Sequence, residues 1–381
     1  MSEHRVAIIG AGTSGVAAAV ALADRGIESL LIDRADRIGS SWHSRYDRLR
    51  LNTGRQFSHL PHRRYPKGTP TFPTRAQVIA HLEQHARADG IGLRLECPVE
   101  RLDRTDGHWR LTTADGAIDA VEVVVATGFD HEPFIPDWPG RLDWRGELVH
   151  SSRYRNPVQF EGERVLVVGA GCSGMEIAYD LATGGAAKVW LSARTPPNIM
   201  LRQGPGGIAG DFIATPLYHA PVRIADAIAR FGRKASFGDL GEFGLPIPDE
   251  GAFARGARLG VPPAIVDRAV IAAVRDRSIE VVRGVESLDA QSVRLADGTR
   301  IDPAAIVCAT GFRRELDKLV GHLGVLDERG WPHATGEKPA AERLRFIGFV
   351  PRPSQIGFAS KQARRAARAI ARELRSDESR P

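Results

Sequence analysis

Two stretches of the chain share one hydrophobic pattern. Val6–Ile9 and Val165–Val168 are short, unbroken apolar runs rich in β-branched residues, the pattern of strands buried on both faces. Each runs into a glycine-spaced turn, Gly10-Ala-Gly12-Thr13-Ser14-Gly15 and Gly169-Ala-Gly171-Cys172-Ser173-Gly174. Each turn opens into an Ala-rich stretch with helical spacing. Apolar runs at 29–33 and 188–194 predict the strands that follow these helices. Further strands are expected at 93–96, 108–113, 121–126, 279–282, 292–295 and 305–308. Residues 75–88 read as a helix with Val78, Ile79 and Leu82 on its apolar face and Thr74 as N-cap. An amphipathic helix is expected at 224–231, and a loop followed by a helix from Ser354. Residues 39–70 show little periodicity and many turn formers.

Strand, Gly-x-Gly-x-x-Gly and helix in this order form a dinucleotide-binding fingerprint. The first glycine permits the tight turn, the second lets the backbone approach a pyrophosphate, and the third lets helix pack on strand. Two copies imply two dinucleotides, and two dinucleotides in one chain imply electron transfer between them.

A second repeat flanks the second fingerprint. Ala126-Thr127-Gly128-Phe129 and Ala309-Thr310-Gly311-Phe312 each follow an apolar, Val-containing run. The economical reading is an α/β protein with two Rossmann-like dinucleotide-binding domains, one inserted into the other. The outer domain would comprise 1–155 and 310–381. The inner domain would comprise 156–309, with a helical and loop insertion at about 195–265. The competing reading is that Ala-Thr-Gly simply ends a buried strand.

The strand ends distinguish the two sites. Asp33 lies 23 residues after Gly10, where a carboxylate accepts from a ribose 2′-OH and repels a 2′-phosphate. This suits FAD or NAD. The same offset from Gly169 gives Ser192, with Arg194 two residues on. A hydroxyl and a guanidinium suit a 2′-phosphate, so the second site is expected to prefer NADPH.

Bulk properties narrow the class. The 381 residues are 43% hydrophobic and 26% charged, ordinary for a globular protein with room for two domains. No apolar run approaches the ~20 residues of a membrane span, and Met1-Ser-Glu-His-Arg leaves no room for a signal peptide. Cys97, Cys172 and Cys308 have no CxxC or metal-ligand spacing. This predicts a cytoplasmic protein without disulfides or a bound metal. The net charge of +6 comes from dispersed basic residues without a nucleic-acid motif, so no nucleic-acid partner is expected.

Between the fingerprints, Trp144-Arg-Gly146-Glu-Leu-Val-His150-Ser-Ser-Arg-Tyr154 resembles the FxGxxxHxxx[Y/W] signature of class B flavin monooxygenases, with Trp in place of the first Phe. Its final Tyr resembles the flavin-containing monooxygenases more than the Baeyer–Villiger enzymes. Gly39-Ser-Ser-Trp42 is similar to the family's Gly-Gly-x-Trp loop. Tyr46–Phe57 and Phe72-Pro-Thr-Arg-Ala-Gln resemble segments of the plant YUCCA-type enzymes. The resemblance covers nearly the whole chain and is weakest at 195–265, where substrate contacts are expected.

That resemblance implies FAD contacts at Gly10, Gly12, Thr13, Ser14, Gly15, Asp33, Arg34, Ser41, Trp42, His43, Leu51, Val99, Ala126, Thr127, Gly128 and Gln355. It implies NADP contacts at Gly169, Gly171, Cys172, Ser173, Gly174, Ser192, Arg194, Ala309, Thr310 and Gly311. Gly146, His150 and Tyr154 carry the family signature in an architectural role. Asn52 corresponds to a family Asn beside the flavin ring; its other reading is a turn residue in Asn-Thr-Gly. The C-terminal helix would point its N-terminus at the flavin, with Lys361, Arg364, Arg365 and Arg368 on a solvated face.

The implied activity is NADPH- and O2-dependent monooxygenation of a small organic substrate through a C4a-(hydro)peroxyflavin. N- or S-oxygenation and oxidative decarboxylation of a 2-oxo acid both fit. The alternatives are a Baeyer–Villiger monooxygenase and an FAD/NADPH reductase that passes electrons to a quinone or partner protein.

Overall fold

The structure, a computed structural model, describes residues 4–105, 107–352 and 354–378. The chain divides into two compact units. One contains residues up to His43, Gly54–Glu132 and the chain from Phe312 onward; the other contains Ser44–Thr53 and Pro133–Gly311.

The first unit is built on a seven-stranded sheet. Six strands run in the order Ile91–Arg94, Ser29–Ile32, His4–Ile9, Gly116–Val125, His108–Thr113, Val99–Thr105. The first four are parallel, and the last two join as an antiparallel meander. Leu344–Phe346 adds a further parallel partner to Val123–Val125. The helix Thr13–Ala23 follows the first fingerprint turn, and its residues Ser14–Leu22 are all buried. The terminal helix Gln355–Glu378 packs against it, with alanines on both sides permitting close approach. Thr74 caps Arg75–His85 in a reciprocal box with Gln77.

The second unit holds a five-stranded, all-parallel sheet in the order Glu280–Val282, Lys188–Ser192, Arg164–Val168, Ala305–Cys308, Glu147–His150. The helix Cys172–Thr183 connects its central pair. The segment after Lys188–Ser192 carries the helices Asp211–Leu217, Val222–Phe237 and Ala252–Leu259 and a small parallel pair, Ile199–Leu201 with Ala264–Val266. The amphipathic helix expected at 224–231 is thus part of a sixteen-residue helix.

The second unit is larger than the 156–309 read from the sequence. Glu147–His150, placed in the outer domain by the sequence reading, is an edge strand of this unit in register with Ala305–Cys308. Ser44–Thr53 also joins this unit. The backbone N–H of Asp47 donates to the carbonyl of Arg155 (2.8 Å), Asn156 Nδ2 donates to Asp47 (2.9 Å), and Tyr46 is buried in the unit's core.

Candidate functional site

The two glycine turns are built alike. Gly10 and Gly169 have φ of 106° and 108°, backbone that L side chains rarely adopt. A Cβ on Gly10 would lie 2.7 Å from the carbonyl oxygen of Ala126, and one on Gly169 would meet that of Ala309. A Cβ on Gly15 or Gly174 would collide with the carbonyl of Gly10 or Gly169. The middle glycines differ: a Cβ on Gly12 or Gly171 meets nothing within 4 Å. Their backbones face open space, as a pyrophosphate cradle requires.

The first turn has further features of a nucleotide site. Asp33 Oδ2 accepts from the N–H of Ala11 (2.6 Å) and Oδ1 from that of Ala35 (2.8 Å). A carboxylate offers about four lone-pair positions, so acceptor capacity remains for ribose hydroxyls. Arg34 is exposed and pairs with Glu132 at 3.2 Å. Thr127 Oγ1 and Gln355 Oε1 are buried without a partner, which is costly unless a ligand supplies one. Gln355 Nε2 is already committed to the carbonyl of Gly348 (2.7 Å), so its oxygen is the atom left over. These residues fit a dinucleotide. Ser41, Trp42 and His43 belong to a short helix after Gly39, and His43 meets Glu83 at 3.2 Å. Val99 begins the outermost strand. Leu51 and Asn52 lie in the second unit.

The second turn corrects one residue assignment. Counting 23 residues from Gly169 reaches Ser192, but the hydrogen bonds align differently. The N–H of Gly10 donates to Ile32, whereas that of Gly169 donates to Ser192. Ile9 pairs with Ile32 and Val168 with Ser192. Ser192 therefore occupies the place of Ile32, because the second helix has twelve residues where the first has eleven. Its hydroxyl is buried and donates to the carbonyl of Arg283 (2.9 Å), so it is not presented to a phosphate. Asp33 is matched by Ala193 and Arg34 by Arg194. The acid is still absent, and Arg194 is exposed and, among the described residues, makes no ion pair.

The two Ala-Thr-Gly segments also differ. Thr127 Oγ1 has no partner, while Thr310 Oγ1 donates to the carbonyl of Phe134. The N–H of Phe134 returns a bond to Gly311 (3.0 Å).

The 144–154 motif is structural in this unit. A Cβ on Gly146 would lie 2.5 Å from the Ala304 carbonyl. His150 is buried; Nδ1 accepts from the N–H of Ser152 (3.1 Å), so Nε2 carries the proton that it donates to Gly311 (3.0 Å). That fixes a neutral tautomer. Tyr154 is fully buried and donates to Asp180 Oδ2 at 2.9 Å. Burial pushes the Asp180 carboxyl up, opposed by Tyr154 and Arg48.

One cluster was not visible in the sequence. Buried Arg202 donates to Glu176 Oε1 (2.8 Å), Asp267 Oδ2 (2.5 Å) and Asn52 Oδ1 (3.1 Å). Arginine has only donors, so Asn52 must present its oxygen to Arg202 and keep its NH2 as a donor. Burial raises the Glu176 carboxyl, with Arg202 opposing. The available signal was Glu176 and Asp180, an i,i+4 acidic pair among the apolar positions of the fingerprint helix.

The sequence profile for the pyridine nucleotide-disulphide oxidoreductases matches residues 7–199. The chain is 34% identical over 326 residues to indole-3-pyruvate monooxygenase YUCCA1 of Oryza sativa subsp. japonica, covering 84% of this chain and 80% of that one. It is 33% identical over 364 residues to probable indole-3-pyruvate monooxygenase YUCCA1 of Arabidopsis thaliana, covering 94% and 87%. The flavin-containing monooxygenase of Stenotrophomonas maltophilia shares the fold, with a TM-score of 0.74 at 21% identity over 98% of this chain and 100% of that one. The fold and paired cradles thus define a flavoprotein oxidoreductase using FAD and NADP. Within that class, the chain belongs to the class B flavin-dependent monooxygenases.

Proposed function

We propose that FAD occupies the first cradle and NADPH the second, in two Rossmann-like domains with the second inserted into the first. The observation that carries this reading is the contrast between equivalent strand ends, Asp33 in one copy and Ala193-Arg194 in the other. Asp33 suits a free ribose 2′-OH, and Arg194 can grip a 2′-phosphate. Arg194→Ala is expected to raise KM for NADPH at least ~10-fold, the ~1.4 kcal/mol of one charge-assisted contact. KM for NADH should change less than twofold. Equal shifts for both cofactors would remove the 2′-phosphate role.

When bound, the cofactors supply hydride transfer and flavin-based activation of O2. The chain's own residues bind and orient them. Gly12 and Gly171 let the backbone approach the pyrophosphates. Thr127 and Gln355 offer otherwise unpaired polar atoms to the first cofactor. Arg202 holds the oxygen of Asn52 and leaves its amide hydrogens to donate. Asn52→Asp retains the acceptor toward Arg202 and removes that donor. Peroxide released per NADPH consumed should rise severalfold, with flavin reduction and Tm unchanged; unaltered coupling would make Asn52 a turn residue only.

For the substrate, the relatives named as indole-3-pyruvate monooxygenases support a 2-oxo acid with an aromatic side chain. The balanced reaction is 2-oxo acid, O2, NADPH and H+ to the shortened carboxylic acid, CO2, H2O and NADP+. The test measures indole-3-acetate formed from indole-3-pyruvate against NADPH consumed. A ratio near one supports the reading; NADPH consumption yielding only peroxide contradicts it. Disulfide reduction is disfavoured by the cysteines. They form no CxxC, and burial pushes the thiol of Cys172 up and that of Cys308 up to about 12.

A further inference from the structure

We propose that Arg255, on the inserted helix Ala252–Leu259, binds the pyrophosphate of the second dinucleotide, so that the insertion forms a wall of the cofactor site. This rests on the reading that the second fingerprint holds NADPH. A cavity of about 130 Å³ opens beside the glycine turn, lined by Ala170, Gly171, Thr195, Asn198, Arg255 and Pro263 among others. Gly171 has no atom in front of it for 4 Å, so the turn's backbone and the Arg255 side chain border the same space.

Among the described residues, the Arg255 guanidinium is bonded only to neutral groups. Its Nη1 donates to the Pro196 carbonyl (3.0 Å) and its Nη2 to Thr195 Oγ1 (3.1 Å), both neutral acceptors. Among the described residues it forms no ion pair. The nearby Glu250 is engaged by Arg258 through two bonds of 2.9 and 2.6 Å, and feels Arg255 only more weakly. A guanidinium has five donor hydrogens, so capacity remains for a phosphate oxygen.

Its placement is built rather than incidental. Asp226 on the helix Val222–Phe237 accepts from the backbone N–H of Phe253 (2.7 Å) and Ala254 (3.2 Å), tying down the start of the Arg255 helix. Ala225, Ala252 and Phe253 form a small core between the two helices. Both contacts of Arg255 fall on the two residues directly after Arg194. Arg194 and Arg255 thus divide the cofactor's anionic groups. Arg194 lies at the strand end, where the ribose is recognised, and Arg255 lies across the cavity from the glycine turn, where the diphosphate sits. The sequence pointed instead to substrate contacts for 195–265.

Two fragments separate these roles in the FAD-loaded protein, with binding read by titration calorimetry. ADP-ribose carries the pyrophosphate without a 2′-phosphate; 2′-AMP carries the 2′-phosphate without the pyrophosphate. Arg255→Met should weaken ADP-ribose at least ~10-fold, the loss of one charge-assisted contact, and leave 2′-AMP within twofold. Arg194→Ala should do the reverse. Thr195→Val removes a hydrogen bond of Arg255 but keeps the guanidinium, and should leave ADP-ribose binding within twofold. Unchanged ADP-ribose binding in Arg255→Met overturns the proposal. So does an equal loss of both fragments, or Thr195→Val matching Arg255→Met, which would make Arg255 a strut for the 195–196 loop. If the wild type binds neither fragment, the NADPH reading falls and the proposal with it.

Discussion

Gly12→Val is expected to give a folded, colourless protein, and Gly171→Val a folded, yellow one that NADPH no longer reduces. Both glycines have extended backbone, with φ near −80° and ψ beyond −165°, which valine adopts readily. Neither added side chain meets a protein atom within 4 Å at its Cβ. Each instead fills the space through which the backbone reaches a pyrophosphate. Loss of that approach should cost at least ~3 kcal/mol, or about 100-fold in affinity. The FAD-to-protein absorbance ratio should collapse in Gly12→Val. In Gly171→Val that ratio should hold, with anaerobic reduction by NADPH slowed at least ~100-fold at fixed cofactor concentration while dithionite still bleaches the flavin. Gly15→Val is the contrasting control, because its Cβ collides with the Gly10 carbonyl and the fold itself should fail. A Gly12→Val protein with full flavin content would show that the first turn does not hold FAD. Reversed behaviour of the two variants would exchange the cofactor assignments.

The two strand–turn–helix units were mostly legible before the structure, for a physical reason. Strands buried on both faces must be continuous apolar runs, and residues 6–9 and 165–168 announce themselves that way. The Thr74 cap was readable because its partner, Gln77, is three residues away. Elements shaped by one-sided exposure were harder. Val99–Thr105 carries Glu100, Arg101, Asp103 and Arg104 on an outer strand, so its charges conceal it. Glu147–His150 becomes a strand only because Ala305–Cys308 offers an edge far along the chain. Counting from Gly169 erred by one because helix length, unlike turn geometry, is not fixed by the fingerprint. The Arg202 cluster joins residues 26, 65 and 150 positions apart, and no local pattern encodes such a meeting. Arg255 was hidden for the same reason: its cavity exists only once the insertion folds beside the second turn.

Arg345→Met should strongly destabilise the first unit, with a deficit that grows as pH rises above about 8. Arg345 and Glu122 are both fully buried and bonded at 2.7 Å. Arg345 also meets Glu373 of the terminal helix and donates from Nε to the Glu337 carbonyl (3.2 Å). Arg343, 4.0 Å from Glu122, is held by Asp377 at 2.5 Å. Removing Arg345 leaves the buried Glu122 carboxyl without its bonded cation; where that carboxyl is ionised the loss typically costs about 3–5 kcal/mol, or roughly 10 °C in Tm for a unit of this size. Burial, opposed by Arg345 and assisted by Glu373, pushes the Glu122 carboxyl up to about 8 from an ordinary 4.5. Between these values the folded protein holds a proton that the unfolded chain has released. This contribution is therefore full below about 4.5 and is lost as pH rises through about 8. Thermal melts from pH 5 to pH 9 should show a downward slope that Glu122→Gln reduces. The double variant Glu122→Gln/Arg345→Met should recover much of the loss, since it leaves no carboxylate at position 122. A double variant no more stable than Arg345→Met would mean that lost packing around Arg345, rather than an uncompensated charge, sets the cost.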